Sequence, residues 1–549
     1  MSLKEQFLQR IQQGLQRSSI QSPSRWAENY RMMDHPYPGR WTWDYHPWLK
    51  DMHDSRATHN IGQKAAQMGY TELGLNLVFY SMDILRVDCM YILPNTKPDA
   101  ADFSTGRFNR AIELSPHIKN MFTETNNVGH KKSGNVNLYV RGSNSRAQLK
   151  SVPISGLVFD ELDEMMQKNL ALAEERQSGQ VIKWNWKIST PTIPGNGINK
   201  YYNDSTQEHF FFRCPSCSKL IELKFPESLV ITGTSLHDPD LAKSHLICTE
   251  CKCVLQHENK KYMLKNGIWV PSQHTRDTRG FGVSQLYSST MPPAEIAEKV
   301  IKAESDQFEE QELYNSKLGL PHVARGARVT KVDVDRCMKS HKMIDGTPDS
   351  TRLITMGVDV GRLCHVEISE WFLSGNDAVG PDVNMHAFPT VLKALTCDFP
   401  ELNKLMRFFQ VRAAVIDFLP ETRKSLEFAN TFPGFVWCCM YNHHVKAKNI
   451  TSTEKAFTVS VNRTSWLDLS LGRFMSGMIH LPQDIPEDYR IHVQAPIKVP
   501  RRDANGESVS FYETPGSLAD HFAHARNYCE IALPFALGYG PTVNSDKVL

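Results

Sequence analysis

Short apolar runs that end in an acid recur along this chain, each set among stretches with helical spacing. Residues 157–160 read LVFD, 353–359 read LITMGVD and 411–417 read VRAAVID. Short runs of this kind read as buried strands, and the acid marks the tip where the strand leaves the core. Between about 60 and 200, strand candidates fall at 89–93, 136–140, 156–159 and 184–188, and a second such pattern runs from 353 to about 535. Strands alternating with helices imply an α/β architecture with a largely parallel sheet. At 549 residues the chain is too long for one ordinary core, so two or three domains are expected.

Composition narrows the class. Hydrophobic residues make up 41% and charged residues 22%, ordinary for a globular chain. The longest apolar stretch, 73–93, is broken by Asp83, Arg86 and Asp88, so no bilayer span is expected, and no secretion signal is visible. The net charge is only +2. Any nucleic-acid contact must then be a local or transient patch and not a general basic coat. Of the 12 cysteines, four form two C-x-x-C pairs and the rest are scattered. That usage reads as reduced, cytosolic thiols plus one metal site, not a disulfide framework.

The expected organisation follows the pattern. Residues 1–55 form an N-terminal segment, with an amphipathic lead (Phe7, Ile11, Leu15), a second helix capped by Ser22-Pro23-Ser24, and an irregular surface over 35–49. Residues 56–330 form the first α/β domain, broken at 210–270 by the cysteine pairs and ending in a charged helical stretch, 292–317. A linker is expected over 331–350, with its polar Asp345-Gly-Thr-Pro-Asp-Ser350, then a second α/β domain over 351–535 and a loose tail over 536–549.

Three elements point to a nucleotide site in the first domain. Lys64-Ala-Ala-Gln-Met-Gly69-Tyr70-Thr71 departs from the G-x-x-x-x-G-K-[ST] phosphate loop. Gly69 and Thr71 fit, Tyr70 stands where the lysine belongs, and Lys64 stands at the first glycine. A long side chain from the start of the loop still reaches a phosphate held in it. Alone, the match reads equally as a helix start with a stray lysine. The second element is Asp160-Glu161 at the end of the 157–160 run: an Asp there can hold Mg²⁺, and the Glu can orient or deprotonate the attacking water. A helix start with acids suited to its dipole is the plain alternative. Third, Ser189 and Thr190 end the next strand, where hydroxyls can sense a γ-phosphate, although a Ser/Thr turn before Pro191 is as simple. The ATP and Mg²⁺ set is thus Lys64, Gly69, Tyr70, Thr71 and Asp160, with Glu161 as general base.

Cys214-Pro-Ser-Cys217 and Cys248-Thr-Glu-Cys251 supply the four thiolates of a closed, structural Zn²⁺ site, with Cys253 a possible substitute for Cys251. In the second domain, Asp359 and Asp417 sit at strand tips, and Asp520 opens a late helix with His521 and His524 behind it. Acids at two neighbouring strand tips, met by a third from a helix, can hold two divalent ions for phosphodiester cleavage in a ribonuclease-H-like arrangement. His521 or His524 at the third corner would tilt the choice from Mg²⁺ towards Mn²⁺. Glu421 is an accessory candidate, or simply a surface acid.

The displaced lysine of Lys64-Ala-Ala-Gln-Met-Gly-Tyr-Thr71 resembles the deviant phosphate loop of lambda-like phage terminase large subunits. Gly142-Ser-Asn-Ser145, Leu149-Lys-Ser-Val-Pro153 and Val158-Phe-Asp-Glu-Leu-Asp163 resemble the run into that family's acidic strand. Ser22-Pro-Ser-Arg-Trp-Ala27, Asn266-Gly-Ile-Trp-Val270 and Gly280-Phe-Gly-Val-Ser-Gln-Leu-Tyr287 fit in order, and the resemblance spans roughly residues 20–530. It implies an ASCE-type P-loop ATPase domain with a zinc-ribbon insertion, followed by an RNase-H-like nuclease. It also implies double-stranded DNA as cargo, a small-subunit partner, docking on the portal of a procapsid as a homo-oligomeric ring, and action in the host cytoplasm. Tyr45 or Trp48 lies where the family places its adenine segment, and Arg141, Arg146 and Lys150 are candidates for a cation acting in trans. The family often has two adjacent acids at the third nuclease corner, with a further Asp three residues on; here Asp520-His521 and His524 depart from it. Two other readings remain open: a helicase-nuclease, which needs a second motor lobe not visible between 200 and 350, and a non-enzymatic zinc-ribbon docking protein.

Overall fold

The computed structural model describes residues 22–122, 125–150, 152–344, 352–373, 383–442, 445, 449–452, 457–502, 508–516 and 518–539. The expected amphipathic lead, residues 345–350 of the expected linker and the tail from 540 lie outside the described residues. The chain divides into two compact units, Met1–His322 and Val323–Leu549. Among the described residues, no helix is long and apolar enough to cross a membrane.

The first unit opens with α1 (Pro23–Tyr30), which starts as its sequence dictates: the Ser22 side chain accepts from the Arg25 amide and Pro23 takes the first helical position. The phosphate-loop candidate joins β1 (His59–Lys64) to α2 (Tyr70–Tyr80). Then follow β2 (Cys89–Leu93), β3 (Val136–Gly142), β4 (Gly156–Asp160), β5 (Trp184–Ser189), β6 (Glu208–Arg213) and β7 (Arg279–Val283). These pair in parallel in the order β6-β7-β1-β5-β4-β2-β3. Burial follows position. All five residues of β4 are buried, as a strand covered on both faces requires, whereas β3 and β6 alternate between buried and partly exposed.

The cysteine region grows out of β6 and returns through an antiparallel strand, Ile268–Pro271, that pairs with β6 again. Between them lies a small antiparallel sheet of Leu229–Val230, His245–Ile247 and Val254–Leu255. The 35–49 segment is irregular, but it is not simply surface. Trp41 and Trp48 are buried in the unit's main core, because the Trp48 indole finds a backbone acceptor there, Met68 O at 3.0 Å.

In the second unit, the segment expected as a linker opens with α3 (Lys331–Cys337), a helix with a Thr330–Asp333 capping box. Its Val334 and Cys337 share a core with Leu471 and Phe474. Six strands of the unit's seven-stranded sheet are β8 (Ile354–Val360), β9 (Cys364–Leu373), β10 (Ala387–Cys397), β11 (Ala413–Asp417), β12 (Val436–Tyr441) and β13 (Thr458–Val461). Their order is β10-β9-β8-β11-β12-β13, and the seventh strand, Ile450–Ser452, pairs antiparallel beyond β13. The β10-β9-β8 side is antiparallel and the β8-β11-β12-β13 side parallel. Three helices matter for the site: α4 (Arg463–Ser476), α5 (Glu487–Gln494) and α6 (His521–Ala536). α6 packs over β8, β9 and β11. Gly357 permits this: a Cβ there would lie 2.0 Å from Ala525 O, so the helix backbone rests directly on the strand.

Candidate active sites

In the first unit, β5 lies between β1 and β4. The tips of three adjacent parallel strands therefore bring Lys64, Ser189-Thr190 and Asp160-Glu161 to one edge. The Lys64 ammonium meets Glu161 Oε1 at 3.1 Å and donates to Thr190 Oγ1 at 3.4 Å. The loop after Lys64 is pinned from several sides. Ala65 N donates to Val283 O at 2.9 Å, Ala66 N to Ser316 O at 2.8 Å, and Gly69 (φ +83°) turns the chain into α2. The N-terminus of α2 thus opens on the loop, where exposed amides and the helix dipole favour an anion.

Asp160 is buried at the end of β4. Its Oδ2 accepts the Tyr91 hydroxyl at 2.6 Å, while its Oδ1 is buried without a hydrogen-bond partner. Burial, reinforced by neighbouring Glu161, pushes the Asp160 pKa up to about 6; Lys64, Tyr91 and Thr71 oppose that rise. A buried carboxylate oxygen lacking a donor is a natural place for a cation. Glu161 takes a left-handed backbone, φ +61° and ψ +53°. Ser189 Oγ accepts the Asp163 amide at 3.1 Å, which fixes the turn after β4.

Not every expected residue reaches this edge with its side chain. The Tyr70 ring is buried against Gly62 on β1, and its hydroxyl has no hydrogen-bond partner. Only the Tyr70 backbone is available to a phosphate. Trp48 is wholly enclosed and cannot stack on a base. Tyr45 stacks on Tyr37 with ring centroids 3.6 Å apart, and the Lys261 ammonium lies 3.9 Å from its centroid. Of the three basic candidates, Arg141 is half-buried and donates to Gly129 O at 2.5 Å, whereas Arg146 and Lys150 are exposed.

The two C-x-x-C turns come together. Cys214, Cys217, Cys248 and Cys251 place their sulfurs within 4.8 Å of one another. Each turn is followed by a left-handed residue, Ser218 (φ +59°) or Lys252 (φ +60°), so the two knuckles are built alike. Cys253 Sγ lies 3.6 Å from Cys214 Sγ, which brings a fifth thiol to the cluster. Hydrogen bonds from the Cys253 backbone and thiol hold the Cys251 pKa down to about 6.

In the second unit, Asp359 is buried near the tip of β8, and Asp417 ends β11 beside it. Burial pushes the Asp417 pKa up to about 6, against the Leu419 amide, and the Asp359 charge adds to the rise. α6 brings His521 Nδ1 to 2.8 Å from Asp359 Oδ2. Asp520 is held elsewhere: its Oδ2 accepts the Thr514 hydroxyl at 2.7 Å and lies 3.4 Å from His524 Nε2. Burial alone would raise the Asp520 pKa, but His524 draws it well below the usual carboxylate range. His524 also meets the Tyr441 hydroxyl at 3.0 Å, and Glu421 pairs with Lys424 at 3.6 Å on the surface. Among the described residues, the group gathered around Asp359 is Asp359, His365 and His521, with ligand atoms within 4.8 Å.

Sequence reasoning passed over Tyr91, His365 and His492. Tyr91 sits in a strand recognised for its apolar run alone. His365 had a usable signal, since a hairpin centred on Arg362 must pair 359 with 365 across β8 and β9. His492 comes from a distant helix, and nothing local marks it.

Residues 36–269 match the family model described as phage terminase large subunit gpA, ATPase domain. A search of curated proteins finds no match. Among solved structures, the large terminase of bacteriophage HK97 is 12% identical, with 93% of this chain and 98% of that chain covered and a TM-score of 0.49. The large terminase ATPase domain of Thermus phage P74-26 is 12% identical, covering 50% of this chain and 92% of that one, with a TM-score of 0.32. The large terminase nuclease of thermophilic phage G20c is 11% identical, covering 37% and 97%, with a TM-score of 0.24.

Proposed function

We propose that this chain, whose residues 36–269 match the model of the phage terminase large subunit ATPase domain, drives double-stranded viral DNA into a procapsid and cuts the concatemer with its second unit. The observation that carries the motor half is the meeting of Lys64, Thr190, Glu161 and Asp160 at three adjacent strand tips. Lys64 neutralises phosphate charge from the start of the loop, in place of the usual lysine at its end. The α2 amides cradle the phosphates, and with Trp48 enclosed, Tyr45 is the aromatic left for the base side, where it would have to part from Tyr37 and Lys261 to stack. Mg²⁺, held by Thr71 and the donor-less oxygen of Asp160, would neutralise charge across the phosphate oxygens. Glu161 is the general base: it orients the attacking water and takes its proton. While Glu161 is paired with Lys64 it is unavailable as a base, and phosphates that draw Lys64 away free it. Ser189 and Thr190, next to that exchange, couple the γ-phosphate to motion of the β5 tip. Exposed Arg146 and Lys150 suit a cation offered in trans, in a ring on the portal, better than the tethered Arg141 does.

The second unit is the nuclease in this reading. Two divalent ions, Mg²⁺ or Mn²⁺, held by Asp359, Asp417 and the start of α6 (Asp520, His521), would activate a water and stabilise the leaving oxygen. Asp359 and Asp417 offer carboxylates from neighbouring strands, and Gly357 keeps α6 close enough for its first turn to join them. His524 holds Asp520. The four-thiolate cluster fits a structural Zn²⁺ with no open position. A small subunit would choose the DNA, and the work would take place in the host cytoplasm.

The test separates the halves. Lys64→Ala should lower ATP turnover by roughly 10²–10³-fold and abolish packaging, while metal-dependent plasmid cleavage persists. Asp359→Asn should do the reverse. Retained ATP turnover in Lys64→Ala sinks the loop assignment, and unchanged cleavage in Asp359→Asn sinks the nuclease.

A further inference from the structure

The loop between β1 and α2 is held by two separate parts of the first unit. Its first half is tied to the sheet side: Ala65 N and Ala66 N donate to Val283 O and Ser316 O, and the Gln285 side chain donates to Ala66 O at 2.9 Å. The second half, Gln67 to Gly69, carries the harder turn. Gln67 takes a left-handed backbone, φ +58°, although it bears a side chain. A non-glycine residue keeps that conformation only where its surroundings impose it.

The imposing contacts come from one short stretch, His46 to Leu49. His46 hydrogen-bonds to the Gln67 backbone. The Trp48 indole donates to Met68 O at 3.0 Å. Leu49 and His46 lie against Gly69, where a Cβ would come within 2.7 Å of Leu49 Cδ1 and 3.2 Å of the His46 ring. Three consecutive loop residues are thus matched by residues 46, 48 and 49. The stretch is itself tied down. Trp269, on the strand that returns from the cysteine insertion, donates its indole N–H to Trp48 O at 2.9 Å, and the His46 ring packs edge-on against Trp48 with centroids 5.3 Å apart. Burial pushes the His46 pKa down to about 4, against the bond to Gln67. The ring is therefore neutral near pH 7 and supplies geometry, not charge.

We propose that His46 and Trp48 are positioning residues for the phosphate loop: they hold Gln67 and Met68 in the turn that aims the α2 amides at a triphosphate, and neither serves the base. The proposal rests on the nucleotide reading of this loop and adds what shapes it. Between Lys64 and Glu72 no side chain carries a charge. A phosphate entering there meets backbone alone, and the backbone must be shaped in advance. A loop without its brace samples other turns, and only the fraction in the right one binds.

The experiment is competition of ATP, and separately of inorganic tripolyphosphate, against a fluorescent nucleotide bound to the full-length chain with Mg²⁺. His46→Phe keeps a ring and removes the N–H donor. It should weaken both competitors by the same factor, about 10-fold, whereas Tyr45→Ala should weaken ATP and leave tripolyphosphate unchanged. Adding Gln67→Gly to His46→Phe should restore most of the lost affinity, because glycine takes the left-handed turn without a brace. Trp48→Phe tests the second bond in the same way and stands in if His46→Phe does not fold, with melting temperatures read in parallel. ATP weakened while tripolyphosphate is unchanged would make His46 a base-side residue and overturn the proposal. So would unchanged affinities in folded variants, or a loss that Gln67→Gly leaves in place. A wild type that binds neither ATP nor tripolyphosphate removes the nucleotide reading itself, whereas wild-type binding with indifferent variants removes the brace alone.

Discussion

Glu161 follows β4 with a backbone that side-chain-bearing residues rarely adopt. A left-handed non-glycine residue costs about 1–3 kcal/mol, and such strain persists where the surroundings impose it. Here the turn is fixed by Asp163, which accepts from the Thr192 amide at 3.0 Å and the Ile198 amide at 2.6 Å. Glu161 is thereby aimed at Lys64. Glu161→Gln should lower ATP turnover by roughly 10²–10⁴-fold with nucleotide affinity retained, measured by a fluorescent nucleotide; lost affinity would mean that the residue binds and does not act as a base. In the second unit, Glu530 is the residue to titrate. It is wholly buried, with Arg473 at 2.5 Å and Arg526 bonded to it as well. Burial works to raise its pKa, but the two arginines hold it down to about 2, below its ordinary 4.5. The folded state therefore favours the carboxylate, so its contribution is full above pH 4.5 and fades as pH falls towards 2. Glu530→Gln should cost about 3–5 kcal/mol near neutrality, a gap that urea unfolding should show closing across that acidic window. A gap that stays constant would count against the ion network.

At the scale of elements, the cysteine insertion is the part most dependent on something other than packing. Its strands are two or three residues long, and Leu220, Leu236 and Val254 remain exposed. If the four sulfurs hold zinc as proposed, such a module gains its order from them, and metal binding becomes folding free energy. Cys214→Ser or Cys248→Ser should abolish zinc retention in the purified chain. Melting of the first unit, Met1–His322, should fall by roughly 3 °C if about 2 kcal/mol is lost. Cys253→Ser should keep the metal, because its sulfur is the spare one; zinc loss in that variant would reassign the fourth ligand. α6 illustrates a different dependence. Its placement rests on Gly357, and through it His521 reaches Asp359, so a strand glycine with no side chain of its own, two residues before Asp359, sets the geometry of the second site.

For the molecule as a whole, the sequence foretold the alternation of strands and helices and the acid-tipped strands, because parallel central strands must be apolar along their length. β4 and β8 are legible for that reason alone. The strand-to-helix turn from Lys64 to Tyr70 falls where the spacing of Lys64, Gly69 and Thr71 puts it. Side-chain direction was not. Trp48 and Tyr70 look like ligand-facing aromatics in sequence, yet both are enclosed, because burial is decided by partners far along the chain. The corner at Asp520 was ambiguous for a related reason. Adjacent residues at a helix start point differently, and only the fold sends His521 towards Asp359 and Asp520 towards Thr514. His365 needed strand register, and His492 needed the tertiary packing of α5.

Tyr70 and Gly62 form a lock with a history in it. With the ring in place, a Cβ at position 62 would sit 2.6 Å from it. Tyr70→Lys alone would leave an ammonium where the core holds a ring, and any larger residue at 62 alone would collide. The common phosphate loop therefore cannot be regained from this one through a healthy single-step intermediate. If the loop holds phosphate as proposed, sterics would keep a chain built this way on Lys64, whatever the relative merit of the two lysine positions, so that the odd loop would act as an evolutionary ratchet.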